Sequence, residues 1–189
     1  MIASTDTGGV TSPARIEPLP PTAWDADQRR LLEGAPPLAL LATLVRHPTL
    51  LRSWLPLAKT ILYAGALPDR DRELLVLRTA WNCRSDYEWG HHARLAAKAG
   101  LGPDEVARVA RGPEAHGWEP FERALLRAAD DLHARATIDK ETWDALAVAY
   151  GVRELIEVPA VVGQYHALAF ASNALVVALE DGFSPLPPR

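Results

Sequence analysis

Apolar residues recur three and four positions apart along almost the whole of this chain, and no run of β-branched residues alternates with polar ones. Such a chain builds its core from helices, because only a 3.6-residue period gathers those positions onto one face. Proline and glycine divide it into pieces. The spacing predicts helices over 22–34 (with Thr22 as N-cap), 38–46, 48–65, 69–82, 85–98, 103–111, 119–135, 140–150 and 152–180. Short connections between them give an all-α bundle. Residues 1–21, rich in Gly, Ser, Thr and Pro, are expected to form a flexible N-terminal arm. Residues 22–183 are expected to form one helical domain, and 184–189 a C-terminal tail.

Composition narrows the function classes. With 48% hydrophobic and 23% charged residues, the 189-residue chain has the balance of a single globular core. A net charge of -4 without a cluster of Lys or Arg argues against nucleic acid or an anionic membrane as partner. The first residues lack a basic-then-apolar leader, and no apolar stretch is long enough to span a bilayer. A cytoplasmic location is the expectation. Cys83 is the single cysteine, so neither an intrachain disulfide nor a four-thiolate zinc site can form. No metal and no cofactor are expected. Glu88-x-x-His91 and Asp130-x-x-His133 imitate the carboxylate-x-x-His pairs of di-iron bundles. The Gly and Pro breaks do not suit a plain four-helix bundle, however, and His92 would be left over.

The densest run of reactive side chains is Cys83, Arg84, Ser85, Asp86, Tyr87, Glu88, Trp89, Gly90, His91 and His92. On a helix Ser85, Glu88 and His92 share one face, and an antiparallel hairpin brings Glu73 back toward them. A carboxylate and an imidazole on one face hold each other in a chosen protonation state, and in a dry site a glutamate rises toward neutrality. Ser85-x-x-Glu88 is equally a capping box, in which Ser85 takes the Glu88 amide and Glu88 reaches back. Tyr165, His166 and Asn173 interrupt an apolar helix and need polar partners. His166 is expected to line or back the same pocket.

The run Glu73-LLVLRTAWNCR-Ser85-DY-Glu88-WGH-His92-ARLAAKAGL resembles the signature helix pair of the carboxymuconolactone decarboxylase and alkylhydroperoxidase D-like superfamily. The likeness covers roughly 50–180 and is most specific over 73–101. The peroxidase branch carries a Glu followed by Cys-x-x-Cys-x-x-x-His. On this chain the Glu falls on Glu73, the cysteines on Ser85 and Glu88, and the histidine on His92. Disulfide exchange needs an attacking thiolate and a resolving thiol, so the two-cysteine hydroperoxide mechanism has no residues to run on.

The resemblance therefore implies an alkylhydroperoxidase D-like helical bundle doing cofactor-free acid–base chemistry of the lyase or isomerase type. Its substrate would be a small organic acid, lactone or enolisable compound. Glu73, Glu88 and His92 would be catalytic, and Ser85, Tyr87 and His166 would bind substrate. It also implies a homo-oligomer, a trimer or hexamer, with a dimer as the further option. Two other readings stand beside it: a peroxidase-like antioxidant protein working through Cys83 alone, and a non-catalytic ligand-binding oligomer.

Overall fold

A computed structural model describes residues 13–188. Among them are nine α-helices and no strand: α1 (Ala26–Leu31), α2 (Ala39–Leu44), α3 (Pro48–Tyr63), α4 (Asp69–Asn82), α5 (Asp86–Lys98), α6 (Pro103–Arg111), α7 (Pro120–Arg135), α8 (Lys140–Ala147) and α9 (Val152–Leu175). The all-α expectation holds, with differences at the ends. The chain enters through a 3-10 turn at Pro21–Ala23, so the cap of α1 is Asp25 and not Thr22. Asp25 takes the Gln28 amide and Gln28 answers on the Asp25 amide. The last helix stops at Leu175, five residues early, because Val176 adopts a left-handed conformation (φ 54°) that turns the chain back toward α5.

The centre of the bundle is α4. Residues Arg72 to Leu77 are all buried, with Leu74, Leu75, Val76 and Leu77 at 0% exposure, so this helix is surrounded rather than one-faced. α5, α6, α7 and α9 pack around it, and α8 packs on α7. Leu125 and Leu126 of α7, Val109 of α6, and Val158 and Val161 of α9 complete the main core. A smaller core of Leu32, Val45 and Leu51 joins α1 to α3. No helix among the described residues is long and apolar enough to cross a membrane.

Two features aim the site. The α4–α5 connection is closed by the Ser85 amide donating to Ala80 O at 2.9 Å, while Arg84 takes φ 54°. This tight reversal sends α5 back along α4. Gly90 on α5 then lets the segment after α9 come close, since a Cβ there would stand 2.9 Å from Leu179 Cδ1 and 3.1 Å from Ser184 O.

Of the expected N-terminal arm, residues 1–12 lie outside the described residues. The part that follows is tied down. The Arg15 amide donates to Leu175 O at 3.0 Å and the Leu19 amide to Ala42 O at 2.8 Å. In the expected tail, the Leu186 amide donates to Asp86 Oδ1 at 3.0 Å, and Leu186 packs on the main core.

Candidate active site

Glu73 sits on the second turn of α4 and His92 on the second turn of α5, and the hairpin brings them together. His92 Nδ1 and Glu73 Oε2 are 2.7 Å apart. The other Glu73 oxygen accepts from Arg72 Nε at 3.1 Å, and Arg72 is itself held by Asp69 at 2.7 Å. With Glu73 on Nδ1, the Nε2 of His92 points to Glu88, whose Oε2 lies 3.9 Å away. Tyr165 of α9 closes the cluster edge-on to the His92 ring, at 4.7 Å between centroids and 84° between planes. Glu73 is 0% exposed, Glu88 4% and His92 5%, so the line Arg72–Glu73–His92–Glu88 runs through a nearly dry interior.

Burial sets the protonation states. It pushes the Glu88 carboxyl up to about 7, with the nearby imidazole offsetting only part of the effect. Burial acts on His92 in the opposite sense, but the charge and hydrogen bond of Glu73, aided by Glu88, outweigh it and hold the imidazole above its ordinary value. Both shifts favour the protonated forms, that of Glu88 through burial and that of His92 through Glu73.

The capping box is only half made. Ser85 Oγ accepts from the Glu88 amide at 3.2 Å, but the Ser85 amide is spent on Ala80 O. The carboxyl of Glu88 is left free of the cap, and its Oε1 has no hydrogen-bond partner among the described residues. Ser85 Oγ also meets Ser172 Oγ at 3.1 Å, and Ser172 donates to Ala169 O at 3.2 Å. The proton of Ser85 therefore goes to Ser172, which fixes the start of α5 on α9.

Two of the expected site residues are not brought to this cluster by their polar atoms. The Tyr87 hydroxyl donates to Glu180 Oε1 at 2.9 Å and accepts from the Leu40 amide at 3.1 Å. His91 joins it there, with Nε2 2.6 Å from Glu180 Oε2. This second polar group anchors α2 and the segment after α9 to α5. His166 does not back the pocket. Its Nδ1 donates to Val162 O at 2.8 Å and its Nε2 lies 2.9 Å from His133 Nδ1, on the side of Cys83. One residue is about 100° of helix, so it is Tyr165, not His166, that faces His92.

The di-iron pattern also dissolves. Asp130 is taken by Arg78 (2.6 and 2.9 Å) and Asn82 (2.8 Å), and His91 faces Glu180 rather than Glu88. Two surface clefts lie between α6 and the tail, one against Trp81 of α4 and the other against Trp89 of α5, and both are lined by Ala107 and Pro187. Neither is lined by Glu73, Glu88 or His92.

Sequence reasoning missed Tyr165 and Glu180 as partners. Tyr165 had a signal: it is in phase with Val158, Val161, Val162, Ala169 and Ser172, the buried face of α9. Glu180 had none, because its reach depends on where α9 stops.

Carboxylate, imidazole and second carboxylate thus meet, without a thiol, on one helix hairpin. Residues 48–131 match the sequence profile of the carboxymuconolactone decarboxylase family. This match, over somewhat less than half of the chain, likens it to the carboxymuconolactone decarboxylase and alkylhydroperoxidase D-like superfamily, and the chain has no Cys-x-x-Cys pair. The fold is shared with the alkylhydroperoxidase AhpD core of an uncharacterised peroxidase-related protein from Ralstonia eutropha JMP134. That pair has a TM-score of 0.77 at 17% identity, over 90% of this chain and 94% of that one. The debrominase Bmp8 aligns at 0.70 and 20% identity, over 88% and 92%. An uncharacterised peroxidase-related protein from Silicibacter sp. TM1040 aligns at 0.69 and 12%, over 77% and 78%. No curated protein sequence matches this chain significantly.

Proposed function

We propose that the protein is a cofactor-free acid–base enzyme, of lyase or isomerase type, acting on a small enolisable acid or lactone. The observation that carries this reading is the Glu88 carboxyl: buried, released from the helix cap, one oxygen without a partner, the other facing a histidine held by Glu73. Glu88 as carboxylate takes a proton from the carbon beside a carbonyl. The electron pair moves to the carbonyl oxygen, which receives a proton from Nε2 of the His92 imidazolium. Transfer of the proton from Glu88 to a second carbon, with return of the enol O–H proton to Nε2 of His92, completes an isomerisation and restores both groups. In a β-keto acid, loss of carbon dioxide leaves the same enolate for Glu88 to protonate. Glu73 is the positioning residue: it fixes the tautomer of His92 and stabilises its charged form. The substrate approaches at the narrow edge where Glu88 and His92 retain 4% and 5% exposure.

The peroxidase-like reading through Cys83 loses support, because burial pushes that thiol up to about 11, far from a reactive thiolate. We also propose a homo-oligomer. Val152, Ile156 and Phe170 form one exposed stripe on α9, at 73%, 66% and 60% exposure. Light scattering on an eluting size-exclusion peak checks this, and a strict monomer would remove it.

The test of the activity is proton exchange. A set of β-keto acids and enol lactones is incubated with the protein in deuterium oxide and followed by NMR. Wild type incorporates deuterium beside the carbonyl of its substrate, and Glu88→Gln slows this by about 10²–10⁴-fold. Exchange at the wild-type rate in Glu88→Gln removes the proposed role. Exchange into none of the compounds would favour the ligand-binding alternative.

A further inference from the structure

The cluster that sets His166 apart from the acid–base site has a chemistry of its own. Cys83 at the C-terminal cap of α4, His133 in the last turn of α7 and His166 in the middle of α9 each offer one donor atom, and the three atoms lie within 4.8 Å of one another. A tetrahedral centre with metal–sulfur bonds of about 2.3 Å and metal–nitrogen bonds of about 2.05 Å spaces such atoms roughly 3.3–3.6 Å apart. Closing the widest separation, at most 4.8 Å, to that spacing takes a shift on the order of an ångström.

Three details fit a ligand set better than a chance meeting. His166 donates from Nδ1 to Val162 O at 2.8 Å, which leaves the lone pair on Nε2 directed into the cluster. Fixing the far nitrogen on a carbonyl is how a metal-binding imidazole is held in tautomer and angle. The two rings face each other nitrogen to nitrogen at 2.9 Å, a contact that requires one lone pair and one proton and fails if both are protonated. Cys83 is fixed by its backbone, since Asn173 Nδ2 donates to Cys83 O at 2.8 Å. The nearest acid on α7, Asp130, is fully engaged by Arg78 and Asn82 and does not join.

We propose that Cys83, His133 and His166 form a binding site for a zinc-class divalent transition metal ion, with solvent at the fourth position. One thiolate and two imidazoles suit a borderline-soft ion and disfavour calcium or magnesium, which want oxygen. His133 is exposed, so the ion enters from the surface and the fourth position faces water. Binding displaces the thiol proton of Cys83 to solvent and moves the proton of His133 from Nδ1 to Nε2, with no redox change. The ion ties the end of α4 to α7 and α9 through residues outside the Glu73, Glu88 and His92 cluster, so the site is independent of the acid–base reading.

Cobalt(II) is the probe. The full-length protein, freed of metal by a chelator and dialysed, is titrated with cobalt chloride and read by absorption. One equivalent is expected, giving the intense visible bands of tetrahedral cobalt and a near-ultraviolet thiolate-to-cobalt band, both displaced by zinc. Cys83→Ser abolishes the thiolate band, and His133→Ala and His166→Ala each weaken binding by at least about tenfold, a loss usual even for groups that only support a ligand. His133 is exposed, so its variant folds as wild type does, which circular dichroism verifies. A titration without a thiolate band overturns the proposal. So does a band that His133→Ala and His166→Ala leave at wild-type affinity, since that is adventitious binding to a thiol.

Discussion

The amide of Glu88 donates to Ser85 Oγ at 3.2 Å, yet the carboxyl of Glu88 does not return to the amide of Ser85, which is bonded instead to Ala80 O at 2.9 Å. The same four residues that read as a capping box thus split their duties. Ser85 caps the helix, and the side chain of Glu88 turns inward to His92. A carboxyl that would otherwise be half solvated on a helix end becomes a nearly dry acid.

Stability should fall as pH rises from about 5 to 8. The folded Glu88 titrates near 7 rather than 4.5, so the folded chain holds a proton there that the unfolded chain has lost. At ~1.4 kcal/mol per unit, about 3 kcal/mol is present below pH 4.5 and lost as pH passes 7. His92 acts in the same sense at higher pH: its raised value stabilises the fold below about 6.5, and that is lost as pH rises through the folded value. The titratable groups that act on Glu88 are His92, Tyr165 and Tyr87, while Glu73 and Arg72 act on His92. Asp27, Glu105 and Glu180 are lowered and titrate with the opposite sign below this window, and the lowered His91 and His133 offset part of the decline within it, equally in wild type and Glu88→Gln. Melting temperatures across the range should decline in wild type, and in Glu88→Gln the decline between pH 5 and 7 should largely vanish. An equal decline in both would show that Glu88 ionises normally.

Ser85→Ala should cost stability but spare activity. Losing an N-cap costs about 1 kcal/mol, and the Ser172 contact adds a comparable amount. Denaturant melts should show that loss while kcat on the identified substrate stays within a few-fold of wild type. A selective rise in KM at unchanged stability would restore Ser85 as a substrate-binding group.

Much of this arrangement was legible in the chain, and what was not has identifiable causes. The meeting of Glu73 and His92 follows from a hairpin of two helices whose break at Cys83 and Arg84 is visible in the sequence. Helix phase alone puts Glu88 beside His92. Arg72 takes the second oxygen of Glu73 in the interior, and a sequence gives no sign that α4 is buried on every side. His166 was placed one residue out of phase, where the buried valines of α9 pointed to Tyr165. The site formed by Tyr87, His91 and Glu180 depends on a left-handed residue, Val176, that ends α9, and a β-branched residue there carries no such signal.

Arg78→Lys should destabilise the bundle without touching the acid–base groups. Arg78 grips Asp130 with Nε at 2.6 Å and Nη2 at 2.9 Å, and its Nη1 reaches Val109 O at 3.0 Å and Ala110 O at 3.3 Å. One planar side chain so closes the C-terminal end of α6 onto α4 and α7, and an ammonium cannot copy the fork. The expected loss is about 1–3 kcal/mol, or several degrees of melting temperature. Calorimetry reads it, and an unchanged Tm would mean the pair is solvent-screened.

The ionisation of Glu88 itself is the most direct measurement. Carbon-13 labelling of the glutamate carboxyls, with Glu88 assigned by the resonance missing in Glu88→Gln, allows its titration to be followed by NMR. Burial beside a histidine held by Glu73 predicts a midpoint near 7. A midpoint in the ordinary range of about 4.3 would show a solvated carboxylate and contradict the proposed chemistry.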